Sequence, residues 1–322
     1  MPMGWFKVLY SHELEVGDAI PVEYFGQELV VFRTESGEAK VVDAFCPHMG
    51  AHLGYGIREQ TGKGPRIVGD SIECPFHGWR WNGEGQCTHI PYANNLPPRV
   101  AKGESILGAW QVREVNQQIL VWYHPNKEAP TWEPEVIPEA AANHPDWGDM
   151  IIHTWEVSTH MQEMGENAVD AAHFHYVHGT DEVPEAAFQN FDGHIREGKF
   201  ITRQPTPRGV VDGAIETRSQ GAGLSVVRFT GIYDTLLLAN VTPVGPEKTY
   251  ATYAFIQPRA TQDTLGKTVG QAIIGNICQQ MAEDQIIWDR KQYFDRPLLC
   301  DGDGPFAKFR RWFSQFLIEP AA

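Results

Sequence analysis

Two cysteine–histidine pairs, Cys46-Pro-His48 and Cys74-Pro-Phe-His77, constrain this chain more than any other feature. Each pair offers one thiolate and one imidazole, and both begin on a Cys-Pro step. Two cysteines can hold one iron of a [2Fe–2S] cluster while two histidines hold the other. That mixed ligation raises the potential above that of an all-cysteine cluster. The flanks suit it: Met49-Gly50-Ala51-His52-Leu53-Gly54 follows the first pair and Gly78-Trp79-Arg80-Trp81 the second. Glycine lets backbone close in on a cluster and present N–H groups to its sulfurs. Structural zinc also accepts two cysteines and two histidines, but zinc loops usually pair like ligands, whereas each loop here carries one of each.

Length and composition narrow the rest. A chain of 322 residues with 42% hydrophobic and 21% charged residues can bury two cores of ordinary size. A net charge of −15 opposes binding to phosphate backbones, so nucleic acid is excluded as a partner. The stretch Met1-Pro2-Met3-Gly4-Trp5-Phe6-Lys7 has no basic run followed by an apolar core, so no signal peptide is expected. No apolar run approaches the roughly 18 residues of a membrane span. Beyond the two pairs only Cys87, Cys278 and Cys300 remain, an odd number without a disulfide pattern, which points to a reducing cytoplasm.

Along the chain, residues 1–125 read as short strands and turns, among them Leu29–Phe32, Val41–Phe45 and Ile119–Tyr123. This is a small all-β domain carrying the cluster loops at one end. Arg58–Pro65, between the two pairs, reads as a polar surface loop. Residues 126–148 are rich in Pro, Glu, Ala and Asn and form an extended connector. The remainder, 149–322, opens with a helix over about Ser158–Ala172. Strands follow at Phe200–Arg203, Leu224–Phe229, Thr235–Ala239 and Thr249–Phe255, then a long helix over about Thr268–Tyr293. Strands followed by one long helix give an α+β domain, with the helix packed on an antiparallel sheet.

A second constellation lies in Glu166-Asn167-Ala168-Val169-Asp170-Ala171-Ala172-His173-Phe174-His175-Tyr176-Val177-His178. On one helix Asn167, Asp170 and His173 share a face. His178 would point about 140° away from His173 unless the helix ends between them. If it does end there, the two histidines can chelate one metal; if not, they are ordinary polar residues near a helix end. Two histidines and one carboxylate form a facial triad that leaves positions open on Fe(II). Asp284 is the candidate carboxylate. It lies in the apolar stripe of Ile273, Ile277, Met281, Ile287 and Trp288, where an unpaired charge is costly. A buried salt bridge is the other way to satisfy it. Glu283 and Asp289 project about 100° or more away and read as solvated.

Both motifs in this order resemble the α subunit of Rieske non-haem iron oxygenases, over almost the whole chain. Within that family, Cys-Pro-His-Met-Gly-Ala-His-Leu, the Glu283-Asp284 step ahead of Ile287-Trp288 and the late Arg296-Pro297-Leu298-Leu299-Cys300 segment are similar to a particular branch. It contains the 3-ketosteroid 9α-hydroxylase oxygenase components and the cholesterol 7-desaturases. The resemblance implies a Rieske cluster on Cys46, His48, Cys74 and His77, and a helix-grip catalytic domain with Fe(II) on His173, His178 and Asp284. The cluster loops lack the extra cysteines that cross-link high-potential Rieske proteins, which implies a lower-potential centre feeding oxygen activation. Family members pack head to tail, usually as homotrimers. Asp170 would then hydrogen-bond His173 in its own chain and His77 of the partner subunit, with Asn167 beside the iron. The implied activity is O2-dependent hydroxylation or desaturation of a hydrophobic, steroid-like substrate. Electrons would come from a separate NAD(P)H reductase, with or without a ferredoxin, since no Gly-x-Gly-x-x-Gly nucleotide fingerprint is present. Aromatic-ring hydroxylation or O/N-demethylation by the same machinery is the alternative. A Rieske electron carrier is a more distant one, as it would not need the second set of residues.

Overall fold

The computed structural model describes residues 1–56, 66–206, 209–259 and 264–319. The expected polar loop Arg58–Pro65 lies outside the described residues. The chain divides into two compact units: one of Lys7–Tyr123 with Lys127–Glu133, the other of Met1–Phe6, His124–Asn126 and everything from Pro134 onward.

The first unit is built of short antiparallel strands. β1 (Gly4–Tyr10), whose first residues count with the other unit, pairs in a sheet of order β1-β10-β9 with β9 (Val112–Val115) and β10 (Gln118–Tyr123). A second sheet runs β2 (Ala19–Tyr24), β3 (Gln27–Arg33), β4 (Ala39–Asp43). A third runs β5 (Arg66–Val68), β6 (Ser71–Glu73), β7 (Arg80–Asn82), β8 (Cys87–His89), and a single turn, α1 (Pro98–Ala101), follows. Val30, Phe32, Val42, Leu53, Ile72, Trp81 and Leu107 pack into one core that also contains Cys46 and Cys74. Cys46 and Cys74 therefore grow out of a packed core of the unit.

The second unit is a seven-stranded antiparallel sheet. Six strands follow one another as a meander: β12 (Glu185–Asp192), β13 (Ile195–Thr206), β14 (Gly209–Gln220), β15 (Leu224–Thr230), β16 (Thr235–Gly245) and β17 (Lys248–Ile256). The earlier β11 (Ile151–Val157) closes the order by pairing with β17. Between β11 and β12 come α2 (Met161–Glu166), a 3-10 turn at Asn167–Val169 and α3 (Ala172–Tyr176); α4 (Thr264–Trp288) and α5 (Phe306–Ser314) follow the sheet. This is the α+β arrangement the strand and helix signals imply. α4 packs on one face: Ile274 and Ile277 meet Leu237 and Phe255, while Met281 and Trp288 meet Val157, Met164 and Ala251. The connector covers the other face, where Glu135 pairs with Arg218 at 2.5 Å and Glu139 with Arg228 at 2.6 Å. With both faces covered, Leu236, Leu237 and Leu238 are all buried, so β16 reads as a continuous apolar run.

Two helices differ from their expected form. The segment expected as one helix over Ser158–Ala172 is broken, because Asp170 sits in extended backbone (φ −96°, ψ 116°) and its Oδ1 accepts the N–H groups of Ala172 (2.9 Å) and His173 (3.3 Å). An aspartate that satisfies the first N–H groups of the next turn starts a new helix and does not continue the old one. α4 ends at Trp288, and Ile287 is 46% exposed, so Ile274 completes the buried stripe in its place. Ion pairs to the buried Glu163 and Glu166 tie the C-terminal segment to α2: Lys291 to Glu163, and Arg310 to Glu166 at 2.7 Å. Among the described residues no helix is long and apolar enough to cross a membrane.

Candidate functional site

The two cluster loops of the first unit are closed by the same hydrogen bonds. Cys46 N–H donates to Ala51 O (2.9 Å) and Gly50 N–H to Cys46 O (2.9 Å); Cys74 N–H donates to Trp79 O (2.8 Å) and Gly78 N–H to Cys74 O (3.0 Å). Gly50 (φ +74°) and Gly78 (φ +71°) occupy the left-handed region that closes each loop, where a side chain would be strained. The loops bring the imidazoles of His48 and His77 to 4.8 Å between ring centres, and Trp79 stacks on His48 at 4.3 Å. Trp81 Nε1–H donates to Cys46 Sγ at 3.3 Å. A hydrogen bond between the two thiols pushes Cys46 up and draws Cys74 down, so the pair accommodates at least one thiolate. His48 Nδ1 and His77 Nδ1 are buried without a hydrogen-bond partner. Two coupled thiols and two buried imidazole nitrogens without a partner, carried on matching loops, are the donor set a [2Fe–2S] cluster takes. Phe45, Met49 and Phe76 stand at least half exposed on these same loops.

In the second unit, ligand atoms of His173, His178 and Asp284 lie within 4.8 Å of one another. α3 ends just past Tyr176, with Val177 N–H donating to His173 O (2.7 Å) and Gly179 N–H to His175 O (3.1 Å). The chain turns there, and His178 comes back toward His173, with ring centres 5.2 Å apart. α4 supplies the third side. Asp284 Oδ1 is 3.4 Å from His178 Nε2, and Asn167 Nδ2–H donates to Asp284 Oδ2 at 2.9 Å. Side-chain exposures of 2% for His178 and 13% for Asp284 leave neither well hydrated. Burial opposes a charge on His178, but Asp284 and Glu283 together hold its pKa above the ordinary histidine value.

Asp170 stands beside this group, its Oδ2 3.6 Å from His173 Nδ1. Burial works to raise its pKa, yet the His173 imidazole and the two backbone N–H groups bring it below the usual carboxylate value. Glu283 departs from the sequence reading. It does not merely face solvent, because its Oε2 lies 2.9 Å from His178 Nδ1. Asp289 likewise has a partner, accepting Ser158 N–H at 2.8 Å. Helical periodicity places Glu283 off the apolar stripe correctly; the missing signal was that His178 reaches the flank of α4 as well as its face. Two carboxylates thus bracket His178, leaving Nε2 toward Asp284. Paired imidazoles and one carboxylate, with His173 Nδ1 turned toward Asp170, suit a divalent metal held on one side.

The other side of the group opens on an apolar cavity of about 220 Å³. Its floor is the sheet face bearing Val227, Leu237 and Ala239; its walls include Phe174, Met281 and Trp288. Phe309, Trp312 and Phe313 of α5 close one end, and Gly165 makes room for them, since a Cβ there would come within 2.8 Å of Phe309.

A mixed Cys/His loop pair on one unit and a metal-competent triad under an apolar cavity on the other define the class of Rieske-type oxygenases. The comparisons carry this to the family. Residues 4–102 match the Rieske [2Fe-2S] domain and residues 121–317 the 3-Ketosteroid 9alpha-hydroxylase C-terminal domain, so the chain belongs to the family of 3-ketosteroid 9α-hydroxylase oxygenase components. It is 31% identical over 340 residues to a probable 3-ketosteroid-9-alpha-monooxygenase oxygenase component of Rhodococcus rhodochrous, covering 98% of this chain and 80% of the relative. It is also 31% identical over 349 residues to a cholesterol 7-desaturase of Caenorhabditis elegans, covering 99% and 77%. Dicamba monooxygenase bound to dicamba shares the fold at a TM-score of 0.74 and 17% identity, over 97% of this chain and 96% of that one.

Proposed function

We propose that this chain is the terminal oxygenase of a multicomponent system that hydroxylates or desaturates a steroid-like, polycyclic substrate. The observation carrying this reading is the His173, His178 and Asp284 group facing an apolar, aromatic-walled cavity. The family relatives named for 3-ketosteroids and cholesterol support the substrate class. We assign residues 1–125 to the Rieske domain, 126–148 to the connector and 149–322 to the catalytic domain.

When bound, a ferrous ion supplies O2 activation at this site and the [2Fe–2S] cluster supplies electrons singly. The protein's own residues do the rest. Cys46, His48, Cys74 and His77 hold the cluster; His173, His178 and Asp284 hold the iron on one side. Asn167 fixes the Asp284 carboxylate by its amide hydrogen bond, and Glu283 fixes His178 in the tautomer whose Nδ1 carries the proton. The apolar cavity excludes water and presents an unactivated carbon to the open side of the triad. Asp170 orients His173, and in a head-to-tail homotrimer it would also meet His77 of the partner subunit. The exposed Phe45, Met49 and Phe76 suit such a contact or the docking of a separate reductase or ferredoxin. Five cysteines, none in a disulfide, suit the cytoplasm.

Mass spectrometry of products tests the reading, using purified protein, a surrogate reductase, NADH and O2 with 3-ketosteroids, sterols, aromatic acids and methoxyaromatics. A steroid that gains one oxygen or loses two hydrogens is the expected result. Oxidation confined to aromatic or methoxy compounds would overturn the substrate class and leave the oxygenase intact. An electron carrier would yield no product and hold about two irons per chain against about three for the oxygenase.

A further inference from the structure

Arg196, Ser219 and Ser225 are directly paired across three adjacent strands, and the rung continues through Ala239 and Tyr253. Residues in one rung stand on one face of the sheet. That face is the cavity floor, lined by Ser219, Ser225, Ala239 and Tyr253. Arg196 is 1% exposed, and among the described residues no carboxylate pairs with it. Its Nη2–H donates to Ala168 O (2.6 Å) and Gln189 Oε1 (3.2 Å), its Nη1–H to Ser219 Oγ (3.4 Å), and its Nε has no partner. Gly198, two residues along the same strand, provides the space: a Cβ there would fall 2.8 Å from Arg196 Nη2 and 2.5 Å from Gln189 Oε1. Burial lowers the guanidinium pKa only to about 10, so it stays charged at neutral pH.

The hydroxyl of Ser219 is constrained by these neighbours. A serine oxygen has two acceptor lone pairs and one proton to donate. Ser219 Oγ accepts from Arg196 Nη1–H and from Ser225 Oγ–H, the latter at 2.9 Å. With both lone pairs used, its own proton is what Ser219 has left to offer, and Ser219 lines the cavity. A neighbouring cation makes that proton a better donor, and leaving it unmatched in an apolar space is costly.

We propose that Ser219 is a donor subsite for an acceptor oxygen on the substrate, a ring ketone or similar carbonyl, with Arg196 and Ser225 holding it in that role. This rests on the oxygenase reading and names what its cavity recognises. The subsite selects, among apolar ligands of equal shape, those with an oxygen placed to meet the floor while another part lies against the triad.

Ligand binding to the unreduced holoenzyme tests the subsite without turnover, because Trp288 and Trp312 line the cavity and report occupancy by fluorescence quenching. The probes are an oxo-steroid and the same ring system with a methylene in place of the ketone. If the product panel shows that steroids are not the substrate class, the pair is rebuilt on the compound that is oxidised, so the two readings fail separately. The wild-type should bind the oxo compound about tenfold tighter than the methylene analogue. Ser219→Ala should bring the two within about twofold while leaving the analogue's affinity unchanged. Ser219→Thr, which keeps the hydroxyl, should retain most of the preference and guards against a packing defect in the alanine variant. Equal binding of the pair by the wild-type, or a preference that survives Ser219→Ala, would overturn the proposal.

Discussion

His178 shows how much of this site depends on groups that hold no metal themselves. Its Nδ1 is held by Glu283 at 2.9 Å, which leaves Nε2 turned toward the adjacent Asp284 at 3.4 Å. Partners of this kind typically change metal affinity ten- to a hundredfold. We expect Glu283→Ala to weaken Fe(II) retention by about tenfold, while Glu283→Gln, whose amide oxygen still accepts Nδ1–H, recovers most of it. Anaerobic metal titration followed by Co(II) absorption checks this, and unchanged affinity in the alanine variant would remove the role. Asp170→Asn should behave differently, leaving iron and cluster contents intact while turnover nearly vanishes; loss of iron, or full activity, would contradict it. At this scale the sequence was informative where chemistry forces residue type. A carboxylate in an apolar stripe marked Asp284, and Cys-Pro-His with Cys-Pro-Phe-His marked the cluster loops. It read Glu283 as solvated and was silent on Arg196 and Ser219, whose pairing depends on strand register that residue type does not reveal.

The break at Asp170 matters because it separates two jobs that periodicity assigned to one helix. Asn167 lies in the 3-10 turn and reaches Asp284, whereas His173 lies in the next helix and approaches Asp170. The three-residue spacing fitted a continuous helix equally well; the distinguishing cue was aspartate's preference for capping. The strands were easier to read, since Phe200–Arg203, Leu224–Phe229, Thr235–Ala239 and Thr249–Phe255 all fall inside observed strands. The connector composition suggested an extended segment but could not show what it covers. Glu135 and Glu139 are held below the ordinary glutamate value of 4.5 chiefly by hydrogen bonds from Arg218 and Arg228. Because the folded values are depressed, this stabilisation is present above 4.5 and is lost as pH falls through the lower folded values. These pairs are about a third exposed, so replacing both glutamates with glutamine should lower Tm by only about 1–4 °C at pH 7. The deficit should shrink below pH 4.5; a constant deficit down to pH 3 would exclude the ion pairs as its cause.

For the whole molecule, the decisive property is that cluster and triad belong to separate compact units. If the two centres cooperate across a subunit boundary, as proposed, two different defects can be repaired in mixed oligomers. A chain lacking the cluster through Cys74→Ser and one lacking the triad through Asp284→Ala should each be inactive alone. Co-expressed, they should recover a measurable fraction of wild-type product, and separately purified chains should recover less if exchange is slow. Failure to recover any activity in a confirmed mixed oligomer would place cooperation within one chain. The order of the ligands along the chain adds a consequence for biogenesis. All four cluster ligands fall between Cys46 and His77, whereas the triad needs His173, His178 and an aspartate from a helix that follows the entire sheet. The four proposed cluster ligands are therefore all synthesised before any residue of the triad, and Asp284 is the last of the seven to be made. A chain cut short before Asp284 would keep all four proposed cluster ligands and both histidines of the triad while lacking its carboxylate.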